Sequence, residues 1–334
     1  MLNLLTVKNL TVSTEHQSGS INILDNLNFN LERGKSLGVV GESGCGKSMM
    51  AFAIMGLLPD NMTASGEVQF GGNLLSLPEK ELCQIRGNKI SMVFQEPMSA
   101  LNPVLPIGFQ VAESLRLHKN LSRHQAQQQA SKVLERVGLP SQQYALSLYP
   151  HQLSGGQRQR VVIAIAMACK PELIIADEPT TALDVTIQAQ ILALIAELVF
   201  EENMSLILIT HDLGVVAENT DQMLVMYAGR IVERGPTNKV FERLAHPYTR
   251  GLFASIPESE NPNAEQGLQA EYSLTNRLST IPGRVPEFWE RSKGCSFADR
   301  CPRAQANCSL EVPAEIQLGA GHTSACFFPF EQKV

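Results

Sequence analysis

A short glycine-rich segment constrains this chain more than any other feature. It reads Gly41-Glu42-Ser43-Gly44-Cys45-Gly46-Lys47-Ser48 and fits the pattern G-x-x-x-x-G-K-[ST]. The apolar residues 36–40 before it predict a strand, and residues 49–58 after it predict a helix that ends at Pro59. Glycines in such a loop let successive backbone N–H groups face phosphate oxygens, and the helix N-terminus adds partial positive charge. The segment therefore predicts a phosphate-binding loop.

The residue types of this loop suit a bound nucleotide. Lys47 would reach the β- and γ-phosphates, and the Ser48 hydroxyl would ligate Mg²⁺. Helix amides and Lys47 would lower the pKa of the Cys45 thiol, although an inert small residue is the favoured interpretation. The alternative for the whole segment is a glycine-rich turn with a solvated lysine, which the flanking strand and helix disfavour. The predicted nucleotide contacts are Gly41, Ser43, Gly44, Cys45, Gly46, Lys47, Ser48 and Met49.

A second apolar strand ends in two acidic residues. Residues 173–178 read Leu-Ile-Ile-Ala-Asp-Glu, and a parallel sheet places its ligand crevice at the carboxyl ends of its strands. We expect Asp177 to hold Mg²⁺ and Glu178 to orient or deprotonate the attacking water, because phosphoryl transfer needs an in-line nucleophile and neutralised oxygen charge. Taken alone, the two acids would rather cap a helix after the strand. The glycine-rich loop favours the catalytic interpretation.

A hydroxyl and paired glycines mark a second helix start that suits an anion. The residues are Leu153-Ser154-Gly155-Gly156-Gln157, and the apolar helical run 161–169 follows them. One nucleotide does not need two such sites in one chain. This suggests that the helix start at residues 153–157 contacts a nucleotide held by another molecule. A serine N-cap with flexible glycines is the simpler alternative for these residues alone.

Strands that alternate with helices predict an α/β fold with a mostly parallel sheet covered on both faces. Apolar residues alternate with asparagines over residues 26–31, which predicts a small antiparallel layer. Further strands are predicted at 90–94, 206–209 and 223–226, and helical period at 107–137 and 187–200. Polar, helix-favouring sequence predicts an inserted helical subdomain at about residues 98–152. Because Pro, Asn, Ser and Glu dominate residues 256–280, we predict one domain at 1–250 and a C-terminal extension at 251–334.

Composition and charge narrow the function classes. The chain has 334 residues with 27 Lys+Arg and 33 Asp+Glu, a net charge of −6, so no overall positive field would hold nucleic acid. Charge or proline interrupts its apolar runs before the roughly 18–20 residues needed to cross a bilayer. The N-terminus lacks a basic n-region and a cleavage site. We therefore expect a cytosolic protein that neither spans a membrane nor binds nucleic acid.

Together these residues resemble the ATP-binding subunits of ABC transporters. The resemblance covers about residues 3–250 and rests on the loop, on the signature at 153–157, on the acidic strand end and on Gln95 and His211, which each follow a strand. It implies a head-to-tail pair of such domains. ATP would be enclosed between the loop of one and the signature residues Ser154, Gly155, Gly156 and Gln157 of the other.

The resemblance also implies roles for single residues. Gln95 would contact Mg²⁺ and water and relay to the membrane subunits, His211 would contact the γ-phosphate, and Asp184 would contact the nucleotide site across the pair. Taken singly, His211 and Asp184 would rather be helix caps and Gln95 a solvated loop residue. The implied catalytic residues are Glu178, His211 and Gln95, and the implied Mg²⁺ ligands are Ser48, Gln95 and Asp177.

One departure from the family concerns the adenine. The family stacks adenine on an aromatic residue shortly before its second strand, but residues 11–28 contain no Phe, Tyr or Trp. His16 has the only ring there. A missing stacking contact costs about 1 kcal/mol, so we expect ATP still to bind through its triphosphate.

The end of the chain resembles the C-terminal extension of ATPases that serve oligopeptide, dipeptide and nickel importers. The matching motifs are His246-Pro247-Tyr248-Thr249-Arg250-Gly251-Leu252, Ile281-Pro282-Gly283 and four cysteines. The resemblance implies two membrane-spanning permease subunits, a second similar ATPase and an extracytoplasmic solute-binding protein as partners, at the cytoplasmic face of the inner membrane. The cargo would be a peptide, with nickel or a metal–opine complex as the alternative. A soluble ABC-type ATPase is the rival class, which the single phosphate loop and the lack of long heptads disfavour.

The four cysteines have the spacing Cys295-x5-Cys301-x6-Cys308-x17-Cys326. In a reducing compartment such a cluster indicates metal rather than disulfides. The spacing matches neither C-x2-C zinc ribbons nor the common ferredoxin run, but some dipeptide-importer ATPases that this chain resembles carry a [4Fe–4S] cluster. We rank [4Fe–4S] first, Zn²⁺ second and unligated cysteines or disulfides third. His322 is interpreted as polar surface.

Overall fold

The computed structural model describes residues 3–16, 19–181, 183–255, 280–319 and 321–331. The polar segment predicted at 256–280 lies outside the described residues except at its last position. The chain divides into two compact units. The first unit comprises residues 1–4, 32–35 and 76–208, and the second comprises residues 5–31, 36–75 and 209–334.

Strands and helices are numbered in chain order over the described residues. The strands are β1 Asn3–His16, β2 Gly19–Glu32, β3 Ser36–Val40, β4 Met62–Gln69, β5 Ile90–Val93, β6 Leu173–Asp177, β7 Ser205–Ile209, β8 Gln222–Tyr227, β9 Arg230–Pro236, β10 Ile316–Gly319 and β11 His322–Ser324. The helices are α1 Lys47–Met55, α2 Glu79–Ile85, α3 Pro97–Ala100, α4 Ile107–Lys119, α5 Arg123–Arg136, α6 Gly155–Met167, α7 Val185–Glu201, α8 Leu213–Asn219, α9 Thr237–Arg243, α10 Pro247–Ala254 and α11 Ala306–Leu310.

The second unit contains the predicted antiparallel layer. Its three strands lie in the order β2-β1-β4, and β1 pairs with β4 in antiparallel register. Three apolar side chains of β2 are buried and two asparagines beside them are exposed: Leu27, Phe29 and Leu31 are buried, and Asn26 and Asn30 are exposed. The period-two pattern is thus confirmed, because alternate side chains of a strand point to opposite faces.

A mixed sheet supports the phosphate loop in the second unit. Its strands lie in the order β10-β11-β9-β8-β3. The pair β3 and β8 is parallel, whereas β8–β9, β9–β11 and β10–β11 are antiparallel. Two short strands, β10 and β11, belong to the C-terminal extension. They form because the edge of β9 offers backbone partners, as in the hydrogen bond from the Ala325 N–H to the Val232 carbonyl at 2.8 Å.

The first unit carries the acidic strand end on strands in the order β7-β6-β5, of which β5 and β6 are parallel. Val93 of β5 pairs with Ala176 of β6, so the two strands end side by side. Helices α4 and α5 lie within the predicted helical range, and Asn120 with φ 52° separates them. A capping box at Ser122 and Gln125 begins α5. The domain limits at 250 and 98–152 stay predictions.

The helix after the phosphate loop is shorter than predicted. It begins at Lys47 and ends at Met55, because Gly56 adopts a left-handed conformation with φ 64° and its N–H bonds back to Ala53 and Phe52. The predicted end at residue 58 was therefore wrong. Among the described residues no helix has the length and hydropathy needed to cross a membrane.

Candidate active site

Close packing requires glycine at two positions of the phosphate loop. Gly41 has φ 154°, and a Cβ atom there would overlap the Met226 carbonyl oxygen. Gly46 has φ 104°, and a Cβ atom there would lie 2.6 Å from Leu24 Cδ2. A side chain at either position would displace the loop from the sheet beneath it. The chain therefore bends at Gly46 directly into the N-terminus of α1.

Lys47 is buried at the centre of this loop. Its Nζ donates hydrogen bonds to the carbonyl oxygens of Gly41 (2.8 Å) and Glu42 (3.2 Å). The N-cap residue of α1 is Gly46, which makes no side-chain cap, so backbone N–H groups line the helix start. A buried ammonium beside backbone donors suits a phosphate group.

Cys45 is an inert part of the loop. The thiol is fully buried, and burial raises its pKa; the opposing effect of the Lys47 charge is smaller. The possibility that the loop lowers the pKa of this thiol was therefore wrong. The reason is that desolvation of the thiolate outweighs one neighbouring charge.

Glu178 and Gln95 meet at the ends of β6 and β5 in the first unit. Gln95 Nε2 donates to Glu178 Oε2 at 3.2 Å, and Thr181 Oγ1 donates to the same oxygen at 3.0 Å. Glu178 has φ 45°, a left-handed conformation that costs a non-glycine residue about 1–2 kcal/mol. Asp177 is buried beside it at the end of β6. The sequence analysis missed the contact of Thr181, for which its position three residues after Glu178 was the available signal.

The glycine signature forms the start of α6. Ser154 is the N-cap, its Oγ accepts from the Gln157 N–H at 3.3 Å, and Gln157 Oε1 accepts from the Ser154 N–H at 2.9 Å. Gln157 Nε2 also donates to the Tyr144 hydroxyl at 3.0 Å. Ser154 and Gly155 are exposed. The side chains of Ser154 and Gln157 are thus held by hydrogen bonds at the helix start, while Ser154 and Gly155 are exposed to solvent.

Two further predicted residues lie at element ends. Asp184 is exposed and caps α7, where its Oδ1 accepts from the Ile187 N–H at 3.0 Å. His211 is exposed after β7, and its neighbour Asp212, not His211, caps α8. The cap interpretation is therefore confirmed for Asp184 and wrong for His211.

The four cysteines of the extension come together. Cys295, Cys301, Cys308 and Cys326 are free thiols that line one cavity, together with Phe297, Phe327 and Phe328. In the part of the chain that the structure describes, no three His, Cys, Asp or Glu side chains are arranged as a formed metal-binding group. Burial raises the pKa of Cys326 to about 11, and the neighbouring cysteines add to this effect. A metal bound there would have to displace the proton of the Cys326 thiol.

His322 was predicted on the surface, and this was wrong. The side chain is buried, and its Nε2 lies 2.7 Å from Glu233 Oε1. Glu233 is itself buried and accepts from the N–H groups of Ala245 and His246. The carboxylate therefore gives a buried partner to His322, which sequence spacing does not reveal.

The His16 ring has an aromatic partner in the extension. It stacks on Trp289 with ring centroids 5.5 Å apart and an angle of 6° between the planes. Trp289 is 56% exposed, so the indole keeps a large accessible surface. Sequence reasoning restricted to residues 11–28 missed this ring because it lies more than 250 residues away.

A phosphate loop, a carboxylate at the end of a parallel strand and a glycine signature at a capped helix start define an ABC-type ATPase. Two family models match the chain: "ABC transporter" at residues 24–181 and "Oligopeptide/dipeptide transporter, C-terminal region" at residues 232–308. The chain belongs to the ATP-binding subunits of ABC transporters that carry this C-terminal region. Its activity is ATP hydrolysis coupled to transport.

Similar proteins extend over almost the whole chain. The oligopeptide transport ATP-binding protein OppD of Salmonella typhimurium is 46% identical over 98% of this chain and 95% of its own length. A putative peptide import ATP-binding protein of Brucella melitensis is 47% identical over 97% and 94%. The dimeric, post-hydrolysis structure of the ATP-binding cassette MJ0796 with ADP and Pi has a TM-score of 0.62 at 31% identity, covering 70% of this chain and 98% of that one.

Proposed function

We propose that this chain energises an importer of peptides at the cytoplasmic face of the inner membrane. The observation that carries the cargo class is the similarity, over nearly the full length, to a protein named for oligopeptide transport. The partners are two membrane-spanning permease subunits, an extracytoplasmic solute-binding protein and a second, similar ATPase that pairs with this one. Nickel or metal–opine import, the alternative from the sequence analysis, is not favoured by this similarity.

The site residues have different roles in ATP hydrolysis. Lys47 and the loop amides bind the phosphates, and Glu178 takes a proton from the attacking water while Gln95 and Thr181 hold its carboxylate in place. His211 donates to the γ-phosphate. The hydroxyl, amide and carboxylate oxygens of Ser48, Gln95 and Asp177 are of the kind that Mg²⁺ prefers, and Mg²⁺ neutralises phosphate charge.

The exposed helix start at Ser154 and Gly155 supports a paired arrangement. Gln157 is already engaged by the capping box and by Tyr144, whereas Ser154 and Gly155 are exposed and accessible to a phosphate of another subunit. Asp184 then contacts the partner from the exposed start of α7. Closure of this pair on ATP and its reopening after hydrolysis drive the permease.

Copurification tests the proposed assembly. We expect the tagged chain, extracted from membranes in mild detergent, to carry two permease subunits and a second ATPase, and its ATP hydrolysis to rise when solute-binding protein with bound peptide is added. The same membranes washed with high salt serve as the control for adsorbed protein. Recovery of the chain with rRNA or DNA, and without a permease, would exclude the importer.

The chemistry of the four thiols supports a proposed metal in the extension, and among the described residues they are not arranged as a formed metal-binding group. Four thiols line one cavity together with three phenylalanines, so the surroundings of the proposed metal are largely apolar. The metal proposed for Cys295, Cys301, Cys308 and Cys326 is a [4Fe–4S] cluster, with Zn²⁺ as the alternative. Bound metal would cross-link a segment that otherwise has few regular elements.

Trp289 is proposed to hold the nucleotide base. Its neighbour Arg291 donates to the carbonyl oxygens of Asn22 (2.8 Å) and Ile23 (2.9 Å), and a Cβ atom at Gly229 would lie 2.7 Å from Arg291 Nη2. Gly229 in turn donates its N–H to the Cys45 carbonyl of the phosphate loop at 2.8 Å. The stacked pair of Trp289 and His16 is therefore tied to the loop, with indole surface exposed for stacking.

A single tryptophan makes this base site directly measurable, because Trp289 is the only one in the chain. We expect ATP to quench its fluorescence, and Trp289→Ala to weaken ATP binding about five- to tenfold, since stacking of a base contributes about 1–3 kcal/mol. Inorganic triphosphate should bind both forms equally. Tyr149→Ala is the matched control, because Tyr149 also stacks on a histidine, His151, at 5.7 Å. An unquenched signal together with unchanged ATP affinity in Trp289→Ala would refute the assignment.

A further inference from the structure

Glu42, the second residue of the phosphate loop, is held by residues from the C-terminal part of the chain. The Arg300 guanidinium donates from Nη1 to Oε2 (2.7 Å) and from Nη2 to Oε1 (2.9 Å) of its carboxylate. The Glu42 backbone N–H donates to the Tyr248 hydroxyl at 2.8 Å. Both the backbone N–H and the carboxylate of Glu42 are thus held by residues outside the loop.

These contacts are shielded from water, which makes them strong. The Arg300 side chain is 7% exposed and that of Glu42 is 29% exposed, and Tyr248 is fully buried. Burial alone would lower the pKa of Arg300, but its hydrogen bonds with Glu42 and Tyr227 outweigh burial and raise it. The two-point geometry also fixes the direction of the carboxylate, which a single-point contact would not.

Arg300 is itself held in place. Its Nε donates to the Pro282 carbonyl at 2.7 Å, and its N–H donates to the Phe297 carbonyl at 3.0 Å within a short 3₁₀ turn, Ala298–Arg300. The ring of Phe297 packs against the rings of Tyr227 (5.1 Å) and Tyr248 (5.3 Å). The residues that hold Glu42 therefore form one packed group in the second unit.

The backbone at Glu42 also contacts the residues that bind phosphate. The Glu42 carbonyl oxygen accepts from Lys47 Nζ at 3.2 Å and from the Cys45 N–H at 3.3 Å. Because the Gly41 carbonyl, which shares a peptide unit with the Glu42 N–H, also accepts from Lys47 Nζ at 2.8 Å, a rotation of the backbone at Glu42 would change where the Lys47 ammonium and the Cys45 amide point. Because a phosphate cradle depends on the direction of its donors, a small rotation would weaken nucleotide binding.

We propose that Arg300 and Tyr248 are positioning residues of the phosphate loop. By holding Glu42 they keep the loop in the conformation that binds nucleotide, so the C-terminal extension sets the nucleotide affinity of the ATPase domain. This role rests on the proposed binding of ATP at residues 41–48. It gives the extension a direct function in ATP binding, separate from any metal held by its cysteines.

Binding of mant-ATP to the full-length chain tests this role. We expect Arg300→Gln to weaken binding about tenfold, because it removes the charge-assisted hydrogen bonds. Tyr248→Phe should weaken it about threefold to tenfold, since it leaves the Glu42 N–H without its acceptor. Arg300→Lys should lie between wild type and Arg300→Gln, because lysine keeps the charge without the two-point geometry. In hydrolysis assays KM should rise by these factors, with kcat changed less than about twofold.

Controls separate positioning from general damage. Arg284→Gln removes another arginine of the extension, which pairs with Glu290 at an exposed site, and should leave mant-ATP affinity unchanged. The double variant Glu42→Gln/Arg300→Gln should bind no more weakly than Arg300→Gln alone, because both changes break one interaction. If Arg300→Gln does not fold by circular dichroism, Tyr248→Phe decides the question, since it keeps the packed ring.

The outcomes differ for the two proposals. Mant-ATP affinities of folded Arg300→Gln and Tyr248→Phe within about twofold of wild type would overturn the positioning role. If instead Lys47→Ala binds mant-ATP as tightly as wild type, the loop is not the ATP site, and the proposed function fails first.

Discussion

Replacing Glu178 with Gln should reduce steady-state ATP hydrolysis about 10²–10³-fold while ATP still binds. The amide has nearly the shape of the carboxylate, so its contacts with Gln95 and Thr181 can persist, but it does not take a proton from water. Phosphate release measured at saturating Mg-ATP, with nucleotide binding measured in parallel, checks both parts of this prediction.

The matched control for this variant is Glu197→Gln. Glu197 is exposed on α7 in the same unit, and the same chemical change there should leave hydrolysis unchanged. Hydrolysis by Glu178→Gln within about tenfold of wild type would mean that another group activates the water. Loss of nucleotide binding in this variant would mean that Glu178 supports the fold of its loop rather than the reaction.

Replacing Cys301 with Ser should remove the metal from the extension and lower the melting temperature. A thiol donor is lost from a four-cysteine set, so the proposed metal, which would cross-link the segment, should be released. Protein purified without oxygen should contain iron and acid-labile sulfide before the change and little of either after it. Because burial holds the pKa of Cys326 at about 11, the affinity for metal should also rise with pH as protons leave the thiols.

Cys83→Ser is the control for the metal site. Cys83 is an exposed free thiol on α2, bonded to Glu79 and separate from the four cysteines of the cavity. It should leave the metal content unchanged. If the wild-type chain contains zinc but neither iron nor sulfide, the site binds Zn²⁺ and not a [4Fe–4S] cluster. If the wild-type chain contains neither metal, the proposed site is refuted.

Sequence reasoning succeeded where the chemistry lies in contiguous residues. The strand at 36–40, the loop at 41–48 and the helix after it could be predicted because glycine, lysine and the hydroxyl residue carry their roles at fixed spacing. The helix start at Ser154 was predicted for the same reason, since a capping box is local. The end of α1 was misplaced because Gly56 stops a helix before a proline that is only three residues further on.

Contacts between distant residues could not be read from the sequence. No local pattern connects Glu42 with Arg300, 258 residues apart, or His16 with Trp289 in the extension. The buried position of His322 likewise depends on Glu233, 89 residues earlier. These pairs form only after the strands and helices have packed, because burial decides which charged groups need a partner.

The sequence by itself determined that this protein binds phosphate and belongs with ABC-type ATPases, because the necessary donors and acids occur in short continuous motifs. Only the tertiary structure decided what holds that machinery in place. Arg300 of the C-terminal extension and Tyr248 reach Glu42 through packing of the second unit, and the four cysteines gather in one cavity for the same reason. Such contacts depend on the three-dimensional packing of segments that are far apart in the chain.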